Sequence, residues 1–221
     1  HNMAEALNRV NGVVLNPGEE FSFNGTVGDS TYDGSGFLPA GGLMNGVLIP
    51  MYGGGICQVS STIYGAALRA GMKITLRECH SSPSSYVPIG LDATVSYDDL
   101  DFRFENSLAY PAYIVGYMDD VTLVVTIYGC QPDDWDEIEV SSWEDGTIPI
   151  PEGIQFLTDE NMAKGQYELK TSGNIGYHAG AQRTYYKDGE VVRTEELPYS
   201  IYNATEKTYM VGPGTDTDEI H

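Results

Sequence analysis

Apolar and polar positions in the first part of the chain predict one clear helix among short strands. Residues 57–71 (CQVSSTIYGAALRAG) place apolar side chains at three- and four-residue steps, which is the spacing of one helix face. A shorter helical pattern covers residues 3–10. Alternating positions predict strands at 72–78, 93–104 and 112–128. We therefore predict an α+β fold, with one main helix starting at Cys57 packed on a mostly antiparallel sheet.

The pattern changes beyond residue 130, where no helical period recurs and glycines separate strand-like segments. Lys187-Asp188-Gly189 predicts a hairpin turn between two of these strands. The second part is therefore expected to be a small, elongated all-β domain. The predicted divisions are a first domain at 1–131, an acidic linker at 132–140, an all-β domain at 141–215 and a disordered tail at 216–221.

Composition and charge exclude some classes of partner. The 221 residues include 32 acidic and 11 basic side chains, for a formal net charge of −21. Nucleic acids and anionic membrane surfaces bind clustered Lys and Arg, so neither is expected as a partner. No apolar run approaches the roughly 20 residues of a membrane helix, so no membrane insertion is expected. The chain opens with His1-Asn2-Met3, and we expect any native export signal or anchor to lie outside it.

Candidate chemistry concentrates where three glycines precede Ile56-Cys57 and the predicted helix begins. A helix N-terminus offers free N–H groups and partial positive charge, which favour a thiolate and can stabilise an oxyanion. His80 is a candidate general base, and Asp92 a candidate group to orient it. The order Cys57, His80, Asp92 is shared with transglutaminase-like and other papain-related enzymes, although this likeness is one of order alone.

The same residues also have purely structural interpretations. Cys57 could be a small buried hydrophobic residue, His80 could cap a loop, and Asp92 could bond to nearby backbone. Metal binding by Cys57, Cys79 and His80 lacks the ligand spacing of known zinc motifs. No cofactor is expected.

Two further features are the polar side chains near the helix start and the number of cysteines. Side chains near the helix start could donate hydrogen bonds into a cleft or cap the helix: Gln58, Ser60 and Ser61. The three cysteines allow at most one disulfide, and Cys79–Cys130 is the pair to test, because Cys57 has a candidate catalytic use. The sequence leaves open whether Cys79 and Cys130 pair.

Four segments, in order, resemble the VanW-like family: 10–24 (VNGVVLNPGEEFSFN), 53–71 (GGGICQVSSTIYGAALRAG), 80–97 (HSSPSSYVPIGLDATVSY) and 99–114 (DLDFRFENSLAYPAYI). The resemblance covers roughly residues 5–130. It implies a Gram-positive surface protein of the kind associated with glycopeptide-resistance gene clusters. The motif positions it implies, without roles, are Cys57, Gln58, His80, Tyr86, Asp92 and Thr94. Cys79 departs from the pattern, since a residue other than cysteine is expected there.

Residues 138–215 resemble the five-glycine (G-five) domain. The segment 171–215 carries its glycines and a final valine-glycine strand. The resemblance implies an elongated all-β module of wall-associated and adhesive proteins, with binding to N-acetylglucosamine-containing glycans. A spacer or stalk is an equal interpretation.

These observations predict an extracellular, cell-wall-associated module that recognises or modifies peptidoglycan or another wall glycan or peptide. In the enzyme version, Cys57, His80 and Asp92 act on wall amide or peptide bonds, and Gln58, Ser60, Ser61, Tyr86 and Thr94 line the binding site. The alternative is an adhesive, glycan-binding stalk with a structural Cys57. Catalysis needs Cys57 and His80 within hydrogen-bonding reach, whereas a stalk predicts that Cys57 is sealed in the core.

Overall fold

The computed structural model describes residues 1–44, 47–218 and 220. The molecule is mostly β, with 41% of residues in strands and 13% in helices. The described helices are α1 (Asn2–Val10), α2 (Phe23–Val27) and α3 (Ile56–Arg69). The predicted helices at 3–10 and 57–71 are confirmed as α1 and α3. The division into an α+β domain and an all-β domain, and the domain boundaries, stay predictions.

Strands before residue 130 form small antiparallel sheets. They are β1 (Val14–Leu15), β2 (Glu20–Ser22), β3 (Pro39–Met44), β4 (Val47–Tyr52), β5 (Lys73–Leu76), β6 (Arg103–Glu105), β7 (Ala112–Asp119) and β8 (Thr122–Tyr128). The sheet orders are β1-β7-β8 and β2-β6-β5, and β3 pairs with β4. Strands predicted at 72–78 and 112–128 are confirmed as β5 and the β7–β8 hairpin. Helix α3 packs against β8, β5 and α1.

The strand predicted at 93–104 is wrong over most of its length, since only its last two residues belong to β6. The backbone N–H groups of residues 93–95 bond to α3 side chains and to Glu78 instead of a neighbouring strand. Residues 97–99 form a turn, with Asp98 at a φ of 62°, between the bridged residues Ser96 and Leu100. Alternation along the sequence cannot tell which partner the backbone finds.

Strands after residue 130 form two further sheets. They are β9 (Glu137–Ile148), β10 (Ile154–Thr158), β11 (Tyr167–Thr171), β12 (Gly176–Lys187), β13 (Glu190–Glu196), β14 (Ser200–Tyr202) and β15 (Lys207–Val211). Strand β12 pairs antiparallel with β9, β13 and β14, and β15 lies between a parallel β10 and an antiparallel β11. The predicted hairpin at 187–189 is confirmed, because Lys187 pairs with Glu190 across it.

Two predicted non-core segments contain packed residues. Within 132–140, Trp135 and Ile138 are buried against Tyr185 of β12, and residues 137–140 belong to β9. In the predicted disordered tail, Ile220 is buried with Tyr209. Residues 219 and 221 of that tail lie outside the described residues.

One hydrophobic core crosses the predicted domain boundary. Its buried side chains come from α1, α3 and the strands around them, and also include Ala181 of β12 and Leu197. Arg183 of β12 donates to the carbonyl oxygen of Met72 at 2.8 Å. The C-terminal strands therefore dock against the end of α3, beside the loop that carries His80 and Asp92.

Candidate functional site

Three consecutive glycines place Cys57 in the first turn of α3. Gly53 and Gly55 have φ values of 73° and 96°, a left-handed conformation that is strained for other residues. A Cβ on Gly54 would lie 2.5 Å from the carbonyl oxygen of Ala40 in β3. Each glycine is thus required by the local backbone, and the turn delivers Cys57 to the positively polarised end of the helix.

Residues 93–95 lie along this end of the helix and hold the Asp92 loop against it. The Ser60 hydroxyl donates to the carbonyl oxygen of Ala93 at 2.6 Å. The Ser61 hydroxyl accepts from the Ala93 N–H at 2.9 Å. Both serines are buried. Their bonds to backbone therefore fix the distance between α3 and the chain that follows Asp92.

The Cys57 thiol is partly buried and surrounded by polar partners. Its sulfur lies 3.5 Å from the Val95 N–H nitrogen, 3.3 Å from the Val95 carbonyl oxygen and 3.7 Å from Thr94 Oγ1. Burial by itself would raise the pKa of Cys57. Hydrogen bonds with His80, Val95 and Thr94, together with the charge of His80, outweigh burial, so the pKa of the thiol is lowered. This environment favours a thiolate.

His80 and Asp92 form a short, well-defined pair. Nδ1 of His80 lies 2.5 Å from Oδ2 of Asp92, and the His80 backbone N–H donates to the same oxygen at 2.8 Å. The other ring nitrogen, Nε2, lies 3.3 Å from the Tyr86 hydroxyl. Burial opposes a charged imidazole, but bonds to Asp92 and Cys57 raise the pKa of His80 to about 9. The thiol and the imidazole are thus shifted in the directions that favour a thiolate–imidazolium pair.

Asp92 is held from the side opposite His80. Its side chain is 1% exposed, and its Oδ1 accepts from Arg77 Nη2 at 3.1 Å and from the Tyr202 hydroxyl at 2.5 Å. Burial would raise the pKa of Asp92, but bonds from His80 and Tyr202 and the charge of Arg77 lower it. Asp92 is therefore an ionised, fully bonded carboxylate aimed at the imidazole.

The structure thus brings together most of the residues predicted for the site. His80 bonds directly to Asp92, and Cys57 lies near enough to His80 for each to shift the pKa of the other. Thr94 contacts the Cys57 thiol, and the Tyr86 hydroxyl contacts His80. The Ser60 and Ser61 hydroxyls bond to the Ala93 backbone. Gln58 follows Cys57 on α3 and is partly exposed, and its carbonyl oxygen accepts from the Thr62 hydroxyl.

Arg77 and Tyr202 are site neighbours that sequence reasoning missed. Arg77 falls on the polar positions of the alternating segment 72–78, which indicate exposure, so the pattern carries no signal of its burial. Tyr202 lies 110 positions from Asp92 along the chain. Nothing in the residues around Tyr202 connects it to the site.

The pairing of Cys79 with Cys130, which the sequence left open, is absent, since all three cysteines are free. Cys79 contacts the carbonyl oxygen of Ile201 in β14 at 3.5 Å, whereas Cys130 is exposed beside Trp135. Their positions separate them, which sequence spacing cannot reveal. Among the described residues, no group of three or more His, Cys, Asp or Glu side chains is arranged to hold a metal ion.

The family model described as "VanW like protein" matches residues 1–128. The chain belongs to the VanW-like family. It is 40% identical over 128 residues to the uncharacterized protein YoaR of Bacillus subtilis (strain 168), a match that covers 58% of this chain and 42% of that protein.

A second VanW-like relative is the vancomycin B-type resistance protein VanW of Enterococcus faecalis (strain ATCC 700802 / V583). It is 29% identical over 132 residues, covering 58% of this chain and 48% of that protein. The chain thus matches less than half the length of either curated relative. VanW-like domains are typical of cell-surface proteins.

Solved G5 domains are structural neighbours of the C-terminal part. The HP0197 G5 domain is 18% identical and covers 35% of this chain and 100% of its own, with a TM-score of 0.18. The IgA1 protease G5 domain is 21% identical and covers 36% of this chain and 95% of its own, with a TM-score of 0.19. Within the described residues, no helix is both long and apolar enough to cross a membrane.

Proposed function

We propose that this protein is a cysteine-dependent amide hydrolase or transpeptidase that acts on peptidoglycan peptides outside the cell, at the wall. The observation that carries the proposal is the hydrogen-bonded pair of Asp92 and His80 beside Cys57 at the start of α3, where the imidazole and the thiol shift each other's pKa. It supplies a nucleophile, a proton carrier and an orienting carboxylate in one cluster. Each of the three groups has a pKa shifted in the direction that its role requires.

The chemistry follows from these positions. The Cys57 thiolate attacks the carbonyl carbon of an amide, and the partial positive charge at the start of α3 favours the developing oxyanion. The C–N bond breaks as the His80 imidazolium transfers its proton to the leaving amine, which leaves a thioester on Cys57. A water or a second amine, deprotonated by neutral His80, then attacks the thioester and regenerates the thiol. Hydrolysis or transpeptidation results, according to which nucleophile attacks.

The proposed substrate class rests on the family. Relatives include a protein named for vancomycin resistance, and VanW-like proteins are typical of the cell surface. Peptidoglycan is the wall polymer that carries amide-linked peptides, so it provides both the bond and the place for a cysteine amidase. The proposed binding residues next to the triad are Gln58, Tyr86 and Thr94, whereas the buried Ser60 and Ser61 hydroxyls are bonded to the Ala93 backbone.

A second candidate function is non-catalytic binding of a wall glycan. The observation that favours it is an exposed aromatic face on β7 and β8, where Tyr113 pairs across the strands with Tyr128 and shares its face with Tyr117. Exposed aromatic rings provide stacking area for sugar rings. This proposal needs no reactive thiol, so measuring the reactivity of Cys57 separates it from the enzyme.

The test is the rate of iodoacetamide labelling of Cys57 against pH, in a Cys79→Ser, Cys130→Ser background. We expect rapid labelling with an apparent pKa well below the roughly 8.5 of a free thiol. His80→Ala should return the profile to that of an ordinary thiol. His178→Ala, which removes a histidine on β12, is the matched control and should change nothing.

The opposite outcome is labelling that needs denaturation or that is indifferent to His80, and it would reject the enzyme in favour of glycan binding. A positive labelling result is then followed by incubation with purified peptidoglycan. Mass spectrometry of the released or newly cross-linked peptides distinguishes the hydrolase from the transpeptidase, and Cys57→Ala is the inactive control.

A further inference from the structure

The polar network around Asp92 does not end within the VanW-like segment. The loop from Arg77 to Asp92 lies against β14 of the C-terminal part and bonds to it repeatedly. Its contacts there are Tyr202 Oη to Asp92 Oδ1, Gly90 N to Tyr202 Oη, Arg77 Nη1 to Ser200 Oγ, Asn203 N to Ser81 O and Cys79 Sγ to Ile201 O. The loop that carries His80 and Asp92 is therefore supported by β14.

Tyr202 has a geometry that dictates where its hydroxyl proton points. The side chain is buried, and its oxygen accepts from the Gly90 N–H at 2.8 Å. The hydroxyl proton is then directed to Oδ1 of Asp92, 2.5 Å away. Burial together with the bond to Asp92 raises the pKa of Tyr202, so the hydroxyl stays protonated and remains a donor.

Arg77 provides a second connection between β14 and the Asp92 carboxylate. Its guanidinium donates to Oδ1 of Asp92 at 3.1 Å and to the Ser200 hydroxyl at 2.7 Å. Its Nε also donates to the Asp92 carbonyl oxygen at 2.6 Å. With both donors on Oδ1, the other carboxylate oxygen, Oδ2, is left facing His80. One oxygen is anchored and the other orients the base.

We infer that β14 completes the candidate catalytic site, with Tyr202 as a positioning residue that holds Asp92 directly and Ser200 as a positioning residue that acts through Arg77. The inference rests on the proposed function for its catalytic meaning. It means that the VanW-like segment and the C-terminal strands form one composite site, in which an element outside the matched family segment sets the orientation of the histidine.

The first readout is the tautomer of neutral His80, measured by the ¹⁵N shifts of its ring in the full chain carrying Cys57→Ala. Comparison with His80→Gln assigns the signals. The Asp92 contact predicts a proton on Nδ1. Adding Tyr202→Phe should reduce the Nδ1–H population by at least about twofold, because Asp92 is no longer fixed. Adding Ser200→Ala should give a smaller reduction in the same direction.

The second readout is the labelling profile of Cys57 with the thiol present. Tyr202→Phe should slow labelling at neutral pH by about three- to tenfold and raise the apparent pKa, since one charge-assisted hydrogen bond is lost. Tyr199→Phe is the matched control, because its exposed hydroxyl donates to Asp145 at 2.6 Å and not to the site. It should leave both readouts unchanged.

Different results overturn the two proposals. If Tyr202→Phe and Ser200→Ala lower the melting temperature but leave the tautomer and the labelling profile as in the parent, β14 has a structural role alone and the inference is wrong. If the parent thiol has an ordinary pKa, the proposed enzyme fails. The tautomer in the Cys57→Ala chain still decides whether β14 orients His80, because it needs no reactive thiol. Should Tyr202→Phe not fold, Ser200→Ala decides the same question.

Discussion

Two aspartates in this protein accept hydrogen bonds from several donors, yet only one belongs to a candidate site. Asp92 accepts from His80, Arg77 and Tyr202. These three residues donate four hydrogen bonds, and Asp101 also accepts four, from Ser22 Oγ, Asn24 N, Phe102 N and Arg103 Nε, at 2.7 to 2.9 Å. Hydrogen bonds lower the pKa of both carboxyls in spite of burial.

The two clusters differ in what their donors can do. The donors of Asp101 are backbone, a hydroxyl and Arg103, whose side chain is 45% exposed. The donors of Asp92 include the imidazole of His80, which reaches on to a thiol, and Arg77, whose side chain is 1% exposed. A saturated carboxylate is therefore a common way to fix a loop. It becomes a candidate catalytic group when one of its donors can itself carry a proton to a nucleophile.

The largest difference in stability is expected when the charge of each aspartate is removed. Asp92→Asn leaves Arg77 buried without a counter-charge and should cost about 3–5 kcal/mol of unfolding free energy. Asp101→Asn leaves an arginine that reaches water and should cost about 1–2 kcal/mol. Urea unfolding measures both, and labelling of Cys57 should change only in Asp92→Asn. Equal costs would mean that the two clusters are equivalent.

The next largest difference is expected in the pH dependence of the unfolding free energy, because the Asp92 cluster includes His80 whereas the donors to Asp101 include no histidine. The pKa of His80 is raised in the folded protein to about 9 from an ordinary 6.5. Its contribution to stability is therefore complete below about pH 6.5. It is lost as pH rises from there through about 9. The stability lead of the parent over His80→Gln, measured by urea unfolding at several pH values, should narrow across this interval. A constant difference would contradict the raised pKa.

A smaller effect is expected where a serine supports each cluster. Ser61→Ala leaves the buried Ala93 N–H without its acceptor and should cost about 1–3 kcal/mol. Ser22→Ala removes the N-cap of α2 and a donor to Asp101 and should cost about 1 kcal/mol. Thermal unfolding measures both. Of the two variants, only Ser61→Ala should also slow the labelling of Cys57. The same slowing in Ser22→Ala would contradict the view that only the Asp92 cluster affects the thiol.

The smallest effect is expected at the edge of the Asp92 cluster. Tyr86 is 38% exposed, and its hydroxyl lies 3.3 Å from Nε2 of His80. Tyr86→Phe should change the unfolding free energy by less than about 0.5 kcal/mol. It should alter the Cys57 labelling rate by less than about threefold, because Asp92 still orients the imidazole. A larger loss would make Tyr86, rather than Asp92, the main partner of His80.

Local sequence patterns determined a good part of this structure. The three- and four-residue spacing after Cys57 predicted α3, and alternation predicted the strands of the β7–β8 hairpin. Each signal acts over a few neighbouring residues, where backbone conformation and side-chain spacing decide the outcome. The triad was predicted as residue types in a known order, and the family resemblance named the same positions.

The tertiary structure decided which of those residues meet and what holds them. The extended backbone after Asp92 bonds to Ser61 and Cys57 on α3 instead of joining a sheet, Cys79 and Cys130 lie apart, and Tyr202 reaches Asp92 from β14. These are contacts between distant parts of the chain, and each depends on how helices and strands pack. Sequence alone determined which reactive side chains are present, namely Cys57, His80 and Asp92. Packing across the core set the partners and the pKa values of those groups.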